Sequence, residues 1–234
     1  MYTVVIEERF RGPAVSGNGG YTSGLLAEAL GGGRDGAVEV TLRRPPPLDH
    51  KLRIEKERNQ AHMFDGAHLV AEAIEAESFT VNLPDVGVDA AVEASKGYPG
   101  FLVHPFPGCF VCGTDRETGD GLRIFPGRVD DTPYFAAPWY VGGDAEVEGP
   151  VIWASLDCPS GWSADLEGRP AVLGRMTAQV LRAPRPGSTA VVMGTTFEVE
   201  GRKSFTASAL FEGGEMIAWA RHTWIEIDPA DFNG

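Results

Sequence analysis

Two stretches decide the fold: Gly19-Gly20-Tyr21-Thr22-Ser23-Gly24-Leu25-Leu26-Ala27-Glu28-Ala29-Leu30 and Val151-Ile152-Trp153-Ala154-Ser155-Leu156-Asp157-Cys158-Pro159-Ser160-Gly161-Trp162. Both are runs of small and apolar residues that read as helices. Ser16-Gly17-Asn18 leads into the first, and Gly31-Gly32-Gly33 closes it. Small polar residues before a helix and glycines after it are ordinary start and stop signals. The second helix is interrupted or started at Pro159, which cannot donate to the preceding turn.

Strand signals lie on either side of each helix. Tyr2 to Phe10 alternates before the first helix. After it, Val38, Val40 and Leu42 alternate with Glu39, Thr41 and Arg43, the period of a half-buried strand. Leu52 and Ile54 continue the pattern, and Asp65-Gly66 marks a hairpin that makes His68 to Glu77 a returning strand. Ahead of the second helix, Gly121 to Val129 reads as a strand and residues 133–150 as a Pro/Gly-rich loop. Behind it come Arg175 to Arg182, Thr189 to Glu200 and Ser204 to Phe211, and Gly213-Gly214 turns the chain into Met216 to Ile227. Between the halves, Phe79 to Thr118 is a Pro/Gly-rich connector with one short helix over Val88 to Lys96.

The halves therefore share one plan: strand, helix, then antiparallel strands. An offset of 139 lays Ser16 on Ser155, Asn18 on Asp157, Leu42 on Leu181 and Arg43 on Arg182. The strand phase slips by one beside these matches, because Val38 and Val40 fall on Thr177 and Gln179. The expectation is two units, residues 1–100 with the connector and residues 101–234, each a helix covered by its own sheet.

Composition narrows the function. With Lys+Arg 20 against Asp+Glu 33 the net charge is −13, a poor field for nucleic acid. No apolar run is long enough to span a membrane, and the N-terminus lacks the pattern of a signal peptide. Three cysteines are too few and too odd for a disulfide framework, so a reducing, cytoplasmic location is expected.

In the Gly19 to Ala27 stretch, in Ala154-Ser155-Leu156-Asp157 with Trp162 behind it, and in the closing Gly213 to Ala220 hairpin, the chain resembles the double hot-dog thioesterases, in particular the thioesterase II-like acyl-CoA hydrolases. The resemblance implies an α+β double hot-dog fold and hydrolysis of an acyl thioester in lipid metabolism. It implies a small-molecule acyl thioester as partner, with coenzyme A part of the substrate and no cofactor. A non-catalytic acyl-CoA or lipid-binding protein is the alternative, and a homo-oligomer stays open. By the same resemblance, the catalytic candidates are Asp157, Gly20, Thr196 and His222. The substrate-binding candidates are Asn18, Gly19, Tyr21, Ser160, Trp162 and Arg182. The family's polar partners are less well matched: Cys158-Pro159 follows the Asp where a His is usual, and His222 stands where a Gln is often found.

The chemistry fits these residue types. A carboxylate can activate water or attack as a nucleophile. A glycine at a helix start lets a carbonyl approach the backbone amides that would hold its developing negative charge. Asp157 also reads as a helix N-cap and Asn18-Gly19 as a plain turn or cap. An Asn in the mirror position would leave one live site and one degenerate one. Cys109-Phe110-Val111-Cys112 has zinc-knuckle spacing, which His104 and Cys158 could complete. The expectation is nevertheless no metal and two cysteines packed in a turn, with a redox pair also open. Arg43, Arg44, Arg182, Arg185, Arg202 and Lys203 are candidates for a basic rim around phosphates, or plain solvated charges.

Overall fold

In a computed structural model, which describes residues 1–143 and 147–231, one antiparallel sheet of eleven strands wraps two helices. In the first half β1 (Tyr2–Val5) precedes α1 (Gly19–Ala27), and β2 (Ala37–Leu42), β3 (Lys51–Glu57), β4 (Gln60–Asp65) and β5 (His68–Ala76) follow. The connector carries α2 (Gly87–Lys96). In the second half β6 (Gly127–Arg128) and β7 (Tyr134–Tyr140) precede α3 (Gly149–Trp162). Then come β8 (Ala171–Val180), β9 (Thr189–Glu200), β10 (Lys203–Glu212) and β11 (Glu215–Glu226).

The strand order is β1-β3-β4-β5-β2-β8-β11-β10-β9-β7-β6. Reading outward from the β2–β8 junction, the two halves are mirror copies of one topology, apart from the short β6 edge. The junction pairs Val38 with Ala178, Glu39 with Thr177 and Val40 with Met176. Val38, Val40, Met176 and Ala178 are all buried on the helix side. Equivalent residues must face the same side of a pleated sheet, so a local two-fold passes through a facing pair. Glu39 and Thr177, 138 apart, make such a pair, whereas the helix match runs at 139. The one-residue slip in the sequence is this pleat requirement. Leu42 and Leu181 accordingly differ in setting, one at a pocket wall and the other half exposed.

Some expected boundaries move. The first strand stops at Val5, where a single helical turn over Glu8–Phe10 takes over. Gly121 to Val129 yields only β6, and the expected loop over 133–150 contains β7, of which Phe135 to Trp139 are buried. Alternation fails there because β7 is covered on both faces. Phe135, Ala137 and Trp139 face the central helices, and Ala136 faces α2. The helix over Val88 to Lys96 forms as expected and covers the outer side of the second half-sheet over β7 and β9, its Ala91 and Ala94 clustering with Ala136 and Met193.

Pro159 neither starts nor stops α3; it lies within it. A proline there removes one backbone hydrogen bond. The Pro159 carbonyl lies against Gly194 of β9, where a Cβ would meet its oxygen at 2.1 Å. The helices α1 and α3 touch as closely. A Cβ on Gly20 would meet the Asp157 Cβ at 2.6 Å and the Trp153 carbonyl oxygen at 2.8 Å. Trp153 ties the other end, its indole N–H donating to the Gly32 carbonyl at 3.1 Å.

Candidate active site

Asn18 is the N-cap of α1: its Oδ1 accepts from the Tyr21 N–H at 2.8 Å. Asp157 is not a cap of its own helix, because it is the ninth residue of α3, whose N-cap is Glu148. It caps the other helix instead. Its Oδ2 accepts from the Gly20 N–H at 2.9 Å and from Asn18 Nδ2 at 3.0 Å. The N-terminus of α1 therefore faces a carboxylate, the sign its dipole favours. Of the first three amides, Gly20 serves Asp157 and Tyr21 serves Asn18. The third, Gly19 N–H, has no partner among the described residues and lies at a pocket wall.

Asp157 Oδ1 is buried and accepts from no protein donor among the described residues. Burial pushes the carboxyl up to about 7; the Gly20 N–H opposes the rise, Cys109 adds to it, and the Asn18 amide opposes it. The pocket beside it has a volume of about 230 Å³. Leu173, Trp224, Phe106 and Leu166 make its walls apolar, and exposed Arg43 and Arg44 stand at its mouth. Arg43 is paired with Glu72, whereas Arg44 has no ion pair among the described residues.

The expectation of a separate mirror site at Asn18 is corrected. Asn18 and Asp157 are the matched positions, and they meet each other, so they share one centre on the local two-fold. Gly20 also departs from its expected part as the donor to a substrate oxygen, since its N–H is taken by Asp157.

The other candidates scatter. Tyr21 stacks on Phe10 at 3.9 Å, with its ring plane 7° away. Ser160 donates to the Asp157 carbonyl at 2.8 Å and accepts from Trp224 Nε1 at 3.0 Å, bracing the wall from behind. Trp162 packs edge-on against Tyr98 and His104. Thr196 shares a hydrogen bond with Ser163 at 3.0 Å, past the end of α3. Arg182 is held by Glu212 and Glu215, both at 2.6 Å, and does not line the pocket.

His222 is buried opposite Thr206, and neither ring nitrogen has a side-chain partner among the described residues. Burial lowers it to about 3, and a hydrogen bond involving the Thr206 backbone offsets little of this, so the ring is neutral. It stands with Thr206 and Ser208, whose hydroxyls are also unpartnered. These two were missed from the sequence. Their signal was the row Ser204, Thr206, Ser208, hydroxyls at every second position of β10 and therefore on one face.

The cysteines are not simply packed in a turn. Cys109 and Cys112 from the connector meet Cys158 of α3, and all three are buried free thiols on the pocket wall. The Cys109 thiol is drawn well below its ordinary range by hydrogen bonds from the Cys112 and Cys158 thiols, which outweigh its burial.

No family model and no curated protein matches this sequence. Solved structures do match in fold. A protein of unknown function with a hot-dog fold from Alicyclobacillus acidocaldarius superposes with a TM-score of 0.54 at 12% identity, over 97% of this chain and 93% of that one. The fold is the double hot-dog. Two further matches carry enzyme names. A candidate thioesterase from Novosphingobium aromaticivorans has a TM-score of 0.61 at 10% identity, over 97% of this chain and 95% of its own. The tesB protein of Mycobacterium avium subspecies paratuberculosis has 0.57 at 11%, over 92% and 89%. At such identities the likeness is one of fold. Among the described residues, no helix of this double hot-dog is long and apolar enough to cross a membrane.

Proposed function

We propose that the protein is a thioester hydrolase acting on an acyl-CoA or a related acyl thioester. The observation that carries this reading is Asp157: one carboxylate oxygen is anchored by the neighbouring helix, and the other is unpartnered beside an apolar pocket. Asp157 Oδ1 takes a proton from a water as that water attacks the thioester carbonyl. The Gly19 N–H at the start of α1 receives the developing oxyanion. The acyl chain lies along Leu173 and Trp224, and Arg44 at the mouth meets the coenzyme A phosphates, a local positive charge on an acidic protein. The role is one in lipid metabolism, in a reducing cytoplasm that suits three free cysteines.

The test is release of free coenzyme A from a panel of acyl-CoA esters, followed by chromatography. Wild type turns over at least one ester, and Asp157→Asn loses that activity. Equal rates in the two proteins would remove Asp157 from the mechanism. A second reading, acyl-thioester binding without turnover, is favoured by one observation, the commitment of the Gly20 amide to Asp157. Tight binding of an acyl-CoA with no release of coenzyme A would decide for it.

A further inference from the structure

The buried thiols have a geometry that the hydrolytic reading does not use. The sulfurs of Cys109, Cys112 and Cys158 all lie within 4.8 Å of one another, and Cys109 Sγ is 3.7 Å from Cys158 Sγ. A tetrahedral zinc with bonds of about 2.3 Å to sulfur holds its thiolates roughly 3.7–3.8 Å apart. One pair already stands at that spacing, and the third sulfur needs a shift of about an ångström or less to join it. We propose that Cys109, Cys112 and Cys158 bind one zinc ion as thiolates, with the fourth coordination position opening on the pocket.

The surroundings are built to hold both sulfurs of the Cys109–Cys112 turn inward. The Gly113 N–H closes that turn on the Cys109 carbonyl at 2.9 Å, and a Cβ at Gly113 would meet the same oxygen at 2.4 Å. Donors face the cluster as well. The fully buried Trp162 indole N–H has no acceptor of ordinary geometry among the described residues and stands beside the Cys112 side chain. Asn18 Nδ2 reaches Cys109 Sγ at 3.9 Å. His104 is not a ligand here: its Nδ1 accepts the Phe106 N–H at 2.9 Å, so the proton sits on Nε2, which donates to the Cys112 carbonyl at 3.2 Å and lies 3.5 Å from Cys112 Sγ. Three thiolates and a divalent cation leave one net negative charge, and the Asn18 and Trp162 N–H groups lie beside it.

Binding converts three thiols to thiolates and releases three protons to solvent, with no change of oxidation state. Thiolate ligands select soft cations, and three protein ligands with one open position is an arrangement zinc adopts. The ion ties the connector to α3 one residue beyond Asp157 and makes the pocket floor rigid.

Metal analysis of the full chain, purified without chelators from zinc-supplemented cells, tests this. The expected content is about one zinc per chain, falling several-fold in Cys112→Ser and in Cys158→Ser, with circular dichroism reporting whether each variant folds. If a variant does not fold, cobalt titration of the metal-free wild type replaces it. There a thiolate-to-cobalt absorption band saturating at about one equivalent is expected. Wild type that binds neither metal, with three thiols that all react with an alkylating reagent, overturns the proposal. So does a Cys109–Cys158 disulfide in protein prepared anaerobically. Asp157→Asn separates the two readings, because it is expected to lose hydrolysis and keep its metal.

Discussion

The two central helices carry different chemistry at matched positions. In α1 the decisive position is Asn18, and in α3 its counterpart is Asp157, and the two touch across the local two-fold. Residues that face each other on such an axis cannot both carry a charge cheaply. Two carboxylates 3.0 Å apart would have to share a proton. An amide against a carboxylate gives donor to acceptor. The duplicated fold has therefore divided its labour: the first unit supplies helix amides and an amide side chain, and the second supplies the acid. Unpartnered buried groups follow the same division. In the first sheet and its helix Ser23 alone carries one among the described residues. The second unit holds Arg116, Asp157, Trp162, Gln179, Thr206, Ser208 and His222.

Making the axis symmetric breaks the comparison hardest. Asp157→Asn gives Asn on both sides and is expected to lower acyl-CoA turnover by about 10²–10⁴-fold, read as coenzyme A released per chain. Its fold should survive, since the new side chain still accepts from the Gly20 N–H. The opposite change, Asn18→Asp, puts carboxylates on both sides and removes the donor. A loss of about 2–4 kcal/mol in urea unfolding is expected, and an unchanged midpoint would show that the pair is not packed as described.

Gly20→Ala tests the contact between units. Its Cβ has nowhere to go without parting α1 from α3, so a cost of about 1–3 kcal/mol is expected by the same unfolding measurement.

A smaller effect comes from the second unit alone. Burial would raise Glu212, but hydrogen bonds from Ser188, the Arg185 N–H and Arg182 more than offset it and hold the carboxyl at about 2. A depressed acid stabilises the fold above its unfolded value of 4.5, and that stability is lost as pH falls toward about 2. Glu212→Gln should cost about 1–2 kcal/mol at neutral pH and flatten this acid limb, because Arg182 keeps Glu215 as a partner.

The smallest effect at neutral pH is at His222, where Phe should change stability by about 1 kcal/mol or less, since no hydrogen bond of the ring nitrogens to another side chain is lost. Its signature lies in acid. The unfolded chain protonates this residue near 6.5 and the folded one only near 3, so wild type loses about 1.4 kcal/mol per pH unit across that window. His222→Phe removes that slope, and a slope left intact would mean that the ring is solvated.

Much of this architecture was legible from local patterns. The glycine-led helix, the alternating strands and the duplicated order all reflect periodicities that a chain carries within a few residues. The resemblance also named Asp157 and Gly20 together as catalytic candidates, and the two do meet. Strand β7 was not legible, because burial on both faces erases alternation and its Pro138 reads as loop. Thr196, His222 and Arg182 came with the resemblance, and the fold carries them to other places than the pocket.

The sequence by itself determined two units, each a helix and an antiparallel sheet, with an acid on the second helix and an amide on the first. Only the tertiary structure decided that these two positions meet, that Asp157 caps the other unit's helix, and that Cys158 joins a pair of cysteines from the connector. The reason is that hydrophobic periodicity specifies which face of an element is buried but not which partner lies against it. That choice is made by close contacts such as Gly20 on Asp157 and Gly194 on Pro159, where the absence of a side chain lets two backbones touch.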